Sequence, residues 1–176
     1  MRTIPPSPRI ETDRLALRTP RPDDALRLAR LADDFDIARM TSLPHPYGLA
    51  EAEDFLARTA IQDLSRDVNF AIEMADQGLV GVIGLHPRGP LGPEIGYWIG
   101  RPYWGRGLAT EAARAVLAWA RDVWGRRAVV SGHFADNPAS GRVLEKAGFL
   151  YTGEIQPRHC AARGEIAPTR MMVWLA

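Results

Sequence analysis

The chain has 176 residues, of which 46% are hydrophobic and 24% are charged, a composition typical of a globular protein. No apolar run approaches the roughly 18 residues that a membrane-spanning helix needs, so we expect no membrane partner. The net charge is +1 and the basic residues are scattered, which argues against a dedicated nucleic-acid surface. The single cysteine, Cys160, excludes an intramolecular disulfide bond and a cysteine-based metal site, and we expect no bound metal.

Residues 1–176 are predicted to form a single domain, because no repeat, low-complexity tract or linker interrupts the chain. Residues 1–8 are rich in proline and contain no apolar core, so we expect a flexible N-terminus rather than a signal peptide. A cytoplasmic location is the expectation that follows.

The first part of the chain contains one predicted strand and then helices. Alternation of apolar and polar residues predicts the strand over 9–18, which Pro20 and Pro22 end. Apolar residues at helical spacing follow, and the loop at 43–48 must be irregular because it holds two prolines and a glycine. The helices predicted in this part cover residues 23–32, 34–41 and 50–64.

Strands dominate the middle of the chain. Two short apolar segments joined by a polar turn at 75–78 predict a β-hairpin. A loop rich in proline and glycine at 87–93 leads into the next strand. The strands predicted from here to the end cover residues 68–74, 79–85, 93–100, 128–134, 149–156 and 168–175.

Two helices are predicted between these later strands. Apolar residues spaced by three or four predict an amphipathic helix over 107–123. Asn137 followed by Pro138 is a helix start, and Gly148 is a helix end, so a second helix is predicted up to that glycine. Together these elements predict a mixed α/β domain with a mostly antiparallel sheet and crossover helices.

A strand, a glycine-rich turn and a helix follow one another over residues 94–112. The turn, Gly-Arg-Gly-Leu-Ala at 105–109, exposes backbone N–H groups at the positive end of a helix dipole, an arrangement that binds phosphate. Gly105 and Gly107 allow the backbone to approach a ligand closely because they have no Cβ. The turn lacks the Gly-Lys-Ser/Thr of kinases and GTPases. We therefore predict a different phosphate-bearing cofactor.

Three segments together resemble the GNAT family of N-acetyltransferases. They are Thr-Asp-Arg-Leu-Ala-Leu-Arg at 12–18, the turn and helix start at 103–112, and Asn-Pro-Ala-Ser-Gly-Arg-Val-Leu-Glu-Lys-Ala-Gly-Phe at 137–149. They occur in the order found in the family, and the resemblance covers the chain from about residue 9 to 175. The chain looks most similar to the RimJ/RimL-like branch, which acetylates the N-terminal amines of ribosomal proteins.

The resemblance implies an α/β fold with a twisted mixed sheet of six or seven strands, flanked by about four or five helices. In this fold two central parallel strands splay apart, and they would be the strands at 93–100 and 128–134. Acetyl-CoA, the co-substrate that the family uses, is expected to lie in the gap between them.

The resemblance also implies which residues contact acetyl-CoA. The pantetheine arm is expected to pair like an extra strand with the backbone of Tyr97, Trp98 and Ile99. Asn137 is expected both to cap its helix and to contact this arm. Trp104 stands where the family usually has glutamine or arginine. This difference says little against cofactor binding, because the turn is expected to contact the cofactor through backbone groups. Backbone N–H groups are expected to hold the pyrophosphate, at Gly105, Arg106, Gly107, Leu108, Ala109 and Thr110.

Glu94 is the candidate general base in a direct transfer that needs no acyl-enzyme. It begins the central strand, and the branch often carries a glutamate there. A glutamate acts well as a base near neutral pH only if its pKa is raised, or if it acts through water. The alternatives are that Glu94 simply pairs with an arginine or binds a substrate cation, and that His86 or His133 is the base.

Ser140 is the candidate group for the leaving thiolate. Many relatives place a tyrosine seven residues after the asparagine, where this chain has Leu144. Ser140 lies one helical turn earlier on the same face, so we expect its hydroxyl to hydrogen-bond the CoA sulfur. The alternative is that this serine only caps the helix.

The sequence therefore predicts an acetyl-CoA-dependent N-acetyltransferase that acts on a primary amine. The acceptor is a protein N-terminus, an amino acid, a polyamine or a drug amine, and the sequence does not distinguish them. The alternative from a different class is a catalytically inactive CoA-binding module that acts as a sensor or scaffold. We expect a monomer or a homodimer, in which the apolar strand at 171–175 is available to pair between subunits.

Overall fold

A mixed sheet forms the centre of the computed structural model, which describes residues 8–88 and 92–176. Within these residues the sheet has eight strands in the order β1-β2-β3-β4-β5-β6-β8-β7. The neighbours are antiparallel except for β5 and β6, which run parallel. The strands are β1 (Arg9–Glu11), β2 (Ala16–Arg18), β3 (Val68–Met74), β4 (Gly78–Pro87), β5 (Pro93–Ile99), β6 (Ala128–Phe134), β7 (Leu150–Cys160) and β8 (Glu165–Leu175).

Five α-helices in the described residues cover the two faces of this sheet. They are α1 (Ala25–Ala32), α2 (Phe35–Ala38), α3 (Leu49–Ala60), α4 (Leu108–Asp122) and α5 (Pro138–Lys146). Helices α4 and α5 share the larger core, where Leu117 and Leu144 pack with Phe70 and Ile95. Helices α1 and α3 cover the other face and contribute a smaller apolar cluster. No helix among the described residues is both long enough and apolar enough to cross a membrane.

The two central parallel strands separate, as the resemblance implies. The paired register of β5 and β6 contains only Glu94 and Val130. Beyond that pair, the buried hydroxyl of Ser131 on β6 donates to the carbonyl of Ile95 on β5 at 3.1 Å. The strands then diverge, and we call this opening the fork.

The segment at 9–18 differs from the single strand that its alternation predicts. The N–H of Thr12 donates to the carbonyl of Leu15, and the N–H of Leu15 donates to the Thr12 hydroxyl, both at 2.9 Å. These bonds close a tight turn, so the segment forms two short antiparallel strands, β1 and β2. The sheet has eight strands instead of the expected six or seven for this reason.

The C-terminal hairpin is longer than predicted, and its last strand is not at an edge. β8 lies between β6 and β7, so both of its sides are already paired. The expectation that the strand at 171–175 pairs between subunits is therefore wrong. Two other predictions, the flexible N-terminus at 1–8 and the loop at 87–93, concern segments in which 1–7 and 89–91 lie outside the described residues.

Candidate active site

A cavity of about 660 Å³ passes through the fork from one face of the sheet to the other. Successive side chains of β5 point to opposite faces, so Tyr97 faces α5 while Trp98 faces the side of α1 and α3. Both line the cavity, together with Ile37 from α2. The cavity therefore connects the two faces, which would let two molecules meet from opposite sides of the sheet.

Most of the predicted cofactor-binding residues line this one cavity. Two predicted site residues do not: Arg106 is exposed beside the turn, and Glu94 lies nearer the paired end of the fork. The predicted residues that line the cavity are Tyr97, Trp98, Ile99, Gly105, Gly107, Leu108, Ala109, Thr110, Asn137 and Ser140.

The turn before α4 has the geometry that phosphate binding requires. Gly105 and Gly107 have φ values of 73° and 75°, in the left-handed region that favours glycine. A Cβ at Gly105 would meet nothing within 4 Å, so the backbone here is open to an incoming group. Among the described residues, no acceptor receives the N–H groups of residues 106–110, and these groups lie at the start of α4.

The N-terminal segment holds this turn in place, a role that sequence reasoning missed. Thr12 donates to Glu111 on α4 at 2.6 Å, and Nε of Arg14 donates to the same carboxylate at 2.7 Å. Arg14 also donates from Nη1 to the carbonyl of Arg106 at 2.9 Å. Burial alone would raise the pKa of Glu111, but the hydrogen bonds from Thr12 and Arg14 outweigh it and lower that pKa. The carboxylate thus stays ionised and fixes the turn.

Backbone groups of β5 face the fork and leave room for an extended ligand. The carbonyl of Ile95 accepts from Ser131, and the carbonyl of Ile99 accepts from the indole Nε1 of Trp104 at 2.6 Å. Because backbone groups alternate along a strand, the N–H and C=O of Tyr97 point the same way. In the described residues β6 offers no paired position opposite Tyr97, so an amide-bearing ligand could bond to it there.

Ser140 does not cap its helix through its hydroxyl. The side chain of Asn137 accepts from the backbone N–H of Ser140 at 3.2 Å, which confirms Asn137 as the N-cap. The Ser140 hydroxyl lies 2.9 Å from the hydroxyl of Tyr97, across the cavity wall. Burial raises the pKa of Tyr97 to about 12, and the Ser140 hydrogen bond only partly opposes this. Tyr97 therefore remains protonated, and its hydroxyl contacts both the Ser140 hydroxyl and, at 3.2 Å, the Ser140 carbonyl.

Glu94 is held by arginines from two other parts of the chain. Both terminal nitrogens of Arg158 on β7 contact its carboxylate, the longer contact being 3.1 Å from Nη2 to Oε2. Nε of Arg88 lies 3.3 Å from Oε2. The carboxylate is only 16% exposed. The pairing with arginine that the sequence left as an alternative is thus present.

The two histidines raised as alternative bases differ in their surroundings. His133 is buried, and both ring nitrogens are engaged, Nδ1 with the carbonyl of Phe134 and Nε2 with the hydroxyl of Tyr151. His86 is half-exposed and only Nδ1 is engaged, at 2.8 Å from a carboxylate oxygen of Asp67. In the described part of the chain no group of three acidic, histidine or cysteine side chains is arranged to hold a metal ion.

Comparison with known proteins supports the same interpretation. A family model described as "Acetyltransferase (GNAT) domain" matches residues 14–150. The "Uncharacterized N-acetyltransferase YoaA" of Bacillus subtilis is 29% identical over 153 residues, covering 85% of this chain and 86% of that protein. The "Putative ribosomal N-acetyltransferase YdaF" of Bacillus subtilis is 31% identical over 153 residues, with 81% of each covered.

The fold is similar to that of solved acetyltransferase structures. Spermidine N-acetyltransferase from Vibrio cholerae, in complex with CoA and spermine, matches with a TM-score of 0.79 and 19% identity. That match covers 93% of this chain and 96% of the other. The family model, which spans most of the chain, agrees with the forked sheet and the turn before α4. The chain therefore belongs to the GNAT family of acetyltransferases and is an acetyl-CoA-dependent acyltransferase.

Proposed function

We propose that this chain transfers the acetyl group of acetyl-CoA to a primary amine by direct attack while both substrates are bound. The observation that supports this most is the cavity that passes through the fork. The thioester can enter from the side of α5 and the amine from the opposite face, so no acyl-enzyme is needed. Cys160 agrees with this, because it is fully buried behind Arg39 and Thr41 and does not itself line the cavity.

The residues around the cavity suit acetyl-CoA. The free backbone N–H groups of residues 106–110 would hold the pyrophosphate at the start of α4. The backbone of Tyr97 and the neighbouring residues Trp98 and Ile99 would pair with the amide groups of the pantetheine arm, and Asn137 lies within the same cavity. A backbone N–H from this stretch of β5 would stabilise the oxyanion of the transition state.

Ser140 and Glu94 are the catalytic side chains in this proposal. The Ser140 hydroxyl would donate a hydrogen bond to the CoA sulfur as the thiolate leaves, and Tyr97 would support it by donating to the serine oxygen. Glu94 would bind the acceptor ammonium beside the fork. Its carboxylate is held in place by Arg158 and Arg88, so it is suited to positioning the acceptor.

The acceptor that we favour is a protein N-terminal amine. This face has one carboxylate, Glu94, for the acceptor ammonium and two guanidinium groups, Arg158 and Arg88, which would repel the further positive charges of a polyamine. An N-terminal amine brings one positive charge, and the rest of the peptide can extend away from the fork. The similarity to YdaF, which is named as a ribosomal N-acetyltransferase, points in the same direction.

The test measures the release of CoA from acetyl-CoA, detected as free thiol, in the presence of each amine in a panel. The panel contains peptides with free N-termini, the same peptides with blocked N-termini, free amino acids and spermidine. We expect turnover with free N-termini and none with blocked ones. Faster turnover of spermidine or amino acids would replace the proposed acceptor, while tight CoA binding without turnover on any amine would favour a sensor or scaffold.

A further inference from the structure

Arginine engages both carboxylate oxygens of Glu94. Two nitrogens of Arg158 contact the two oxygens, and Arg88 approaches one of them. These contacts occupy the carboxylate on the side of β7 and fix its position, which suits it to holding the acceptor in place. Another group nearby has to receive the proton from the acceptor ammonium.

His86 lies at the same level of the sheet as Glu94. The two residues are directly paired in the register of β4 and β5, so their side chains are on the same face. The carboxylate of Asp67 lies 2.8 Å from Nδ1 and accepts a hydrogen bond from Nδ1–H, so in the neutral ring the lone pair is on Nε2. Nε2 has no hydrogen-bond partner in the described parts of the chain. Asp67 thus orients the ring with an open acceptor.

Nε2 of His86 borders an exposed part of the sheet surface next to the fork. The ring lies over Gly84, where a Cβ would come within 2.7 Å of Nε2. Gly84 pairs with Gly96 on β5, and a Cβ at Gly96 would meet nothing within 4 Å. Gly96 follows Glu94 on the same face and precedes the cavity-lining Tyr97. Room therefore exists beside Nε2, between Glu94 and the cavity, for an amine.

We propose that His86, oriented by Asp67, is the general base of this acetyltransferase. The inference rests on the proposed transfer to an amine. Nε2 of His86 removes one proton from the ammonium, and the nitrogen lone pair then forms a bond to the thioester carbon. When the carbon–sulfur bond breaks, the second proton of the amine passes to the thiolate by way of Ser140. His86 is 44% exposed, so it returns its proton to water.

The charged groups around His86 come from several elements. Asp67 precedes β3, Glu94 is on β5, Arg88 follows β4, and Arg158 reaches across from β7. Asn69 of β3 is the neutral polar neighbour above Gly84. The ring thus has carboxylates and guanidinium groups around it, and its second nitrogen remains available to an acceptor.

The experiment measures kcat/KM for the acceptor against pH for the wild-type protein, His86→Gln, Asp67→Asn and the control His159→Gln. His159 is an exposed histidine on β7. We expect His86→Gln to lose about 100-fold in rate and to lose the limb of the profile on the acidic side. Asp67→Asn should keep that limb but lower the rate, because the ring loses the carboxylate contact that orients Nε2. The control should match the wild type.

Affinity for CoA, measured by calorimetry, checks that each variant is folded, and we expect it to be unchanged. A His86→Gln protein that keeps its rate within twofold and retains the acidic limb overturns the assignment of the base alone. A wild-type protein that binds acetyl-CoA but releases no CoA with any amine overturns the proposed function instead. The two failures are therefore distinguishable.

Discussion

At the scale of single residues, the N-terminal cap of α5 does not use the hydroxyl of Ser140, so this group is available to the reaction. Asn137 accepts from the backbone N–H of Ser140, which any residue at 140 can supply. We expect Ser140→Ala to lower kcat by 10- to 100-fold, because the leaving thiolate loses a donor, and to leave the thermal midpoint and the affinity for CoA nearly unchanged. Steady-state kinetics and calorimetry test this. A large loss of stability with normal kcat would show instead that the hydroxyl is structural.

Tyr97 supports Ser140 through a single atom. Tyr97→Phe keeps the ring in the cavity wall and removes only the hydroxyl that lies 2.9 Å from the Ser140 oxygen. We expect kcat to fall by about three- to tenfold, since one neutral hydrogen bond is lost, with little change in the KM for acetyl-CoA. In the double variant with Ser140→Ala the two losses should not multiply, because both act on the same proton donor. If the two losses multiply fully, Tyr97 and Ser140 act independently of each other.

The role of the Glu94 charge is tested by a substitution that keeps the shape of the side chain. Glu94→Gln removes the negative charge, so we expect the KM for the acceptor to rise by about tenfold while affinity for CoA stays the same. If Glu94 binds the ammonium and does not take its proton, the acidic limb of the pH profile remains. Loss of that limb would instead make Glu94 the base. Arg88→Ala, which leaves the Arg158 pair intact, is the matched control and should have a smaller effect.

At the scale of elements, the turn before α4 works only if its backbone remains accessible. A side chain at Gly107 must adopt a φ of 75° and would project into the site. We expect Gly107→Trp to abolish CoA binding in calorimetry. Gly78→Trp is the matched control, because that glycine, in the turn between β3 and β4, has a φ of 67° and open space around it. Retained CoA affinity in Gly107→Trp would show that phosphate binds elsewhere.

The elements that the sequence predicted well are those whose signals are local. The periodicity of α4 and the Asn137–Pro138 start of α5 both depend on residues within a few positions of each other, and the structure confirms both helices. The contacts that the sequence missed join distant positions. Tyr97 and Ser140 are 43 residues apart, and Glu94 and Arg158 are 64 apart. No local pattern indicates such pairs, because the packing of α5 against β5 and the order of the strands in the sheet create them.

The division of the N-terminal strand was missed for a related reason. Its alternation correctly indicated extended backbone, but the turn at Thr12 depends on a hydroxyl that bonds both to the backbone of Leu15 and to Glu111 on α4. The same contacts explain why a segment so far from the turn in sequence is part of the resemblance. They connect the turn between β1 and β2 to the N-terminal end of α4.

At the scale of the whole molecule, the fork determines where chemistry can occur. One paired position joins β5 to β6, and the rest of the sheet is continuous on either side of this opening. The turn and α5 lie on one side of the opening, while Glu94, His86 and the arginines lie on the other. In the proposed function, donor and acceptor are therefore separated by the sheet except at the fork, and we expect water to be excluded when both substrates fill it.

Carboxylates with native partners determine how this molecule responds to acid. Burial alone would raise the pKa of Asp24, but hydrogen bonds from the Arg18 guanidinium and the Arg21 N–H outweigh it and lower that pKa. The pKa of Glu111 is lowered in the same way. Such groups stabilise the fold above their unfolded pKa values, 3.8 for Asp and 4.5 for Glu, and this stabilisation is lost as the pH falls through the lower folded values.

We therefore expect the free energy of unfolding to be nearly constant from about pH 7 to 5 and to fall below about pH 4. Urea denaturation at a series of pH values measures it. Asp24→Asn should cost about 3 kcal/mol at neutral pH, because Arg18 is buried and loses a bidentate partner. The difference from wild type should shrink as the pH falls below 4, since wild-type Asp24 is then protonated first in the unfolded state and, below its lowered native pKa, in the folded state too. Glu53→Gln, an exposed change on α3, should follow the wild-type curve. A constant difference at every pH would mean that the Asp24 charge does not stabilise the fold.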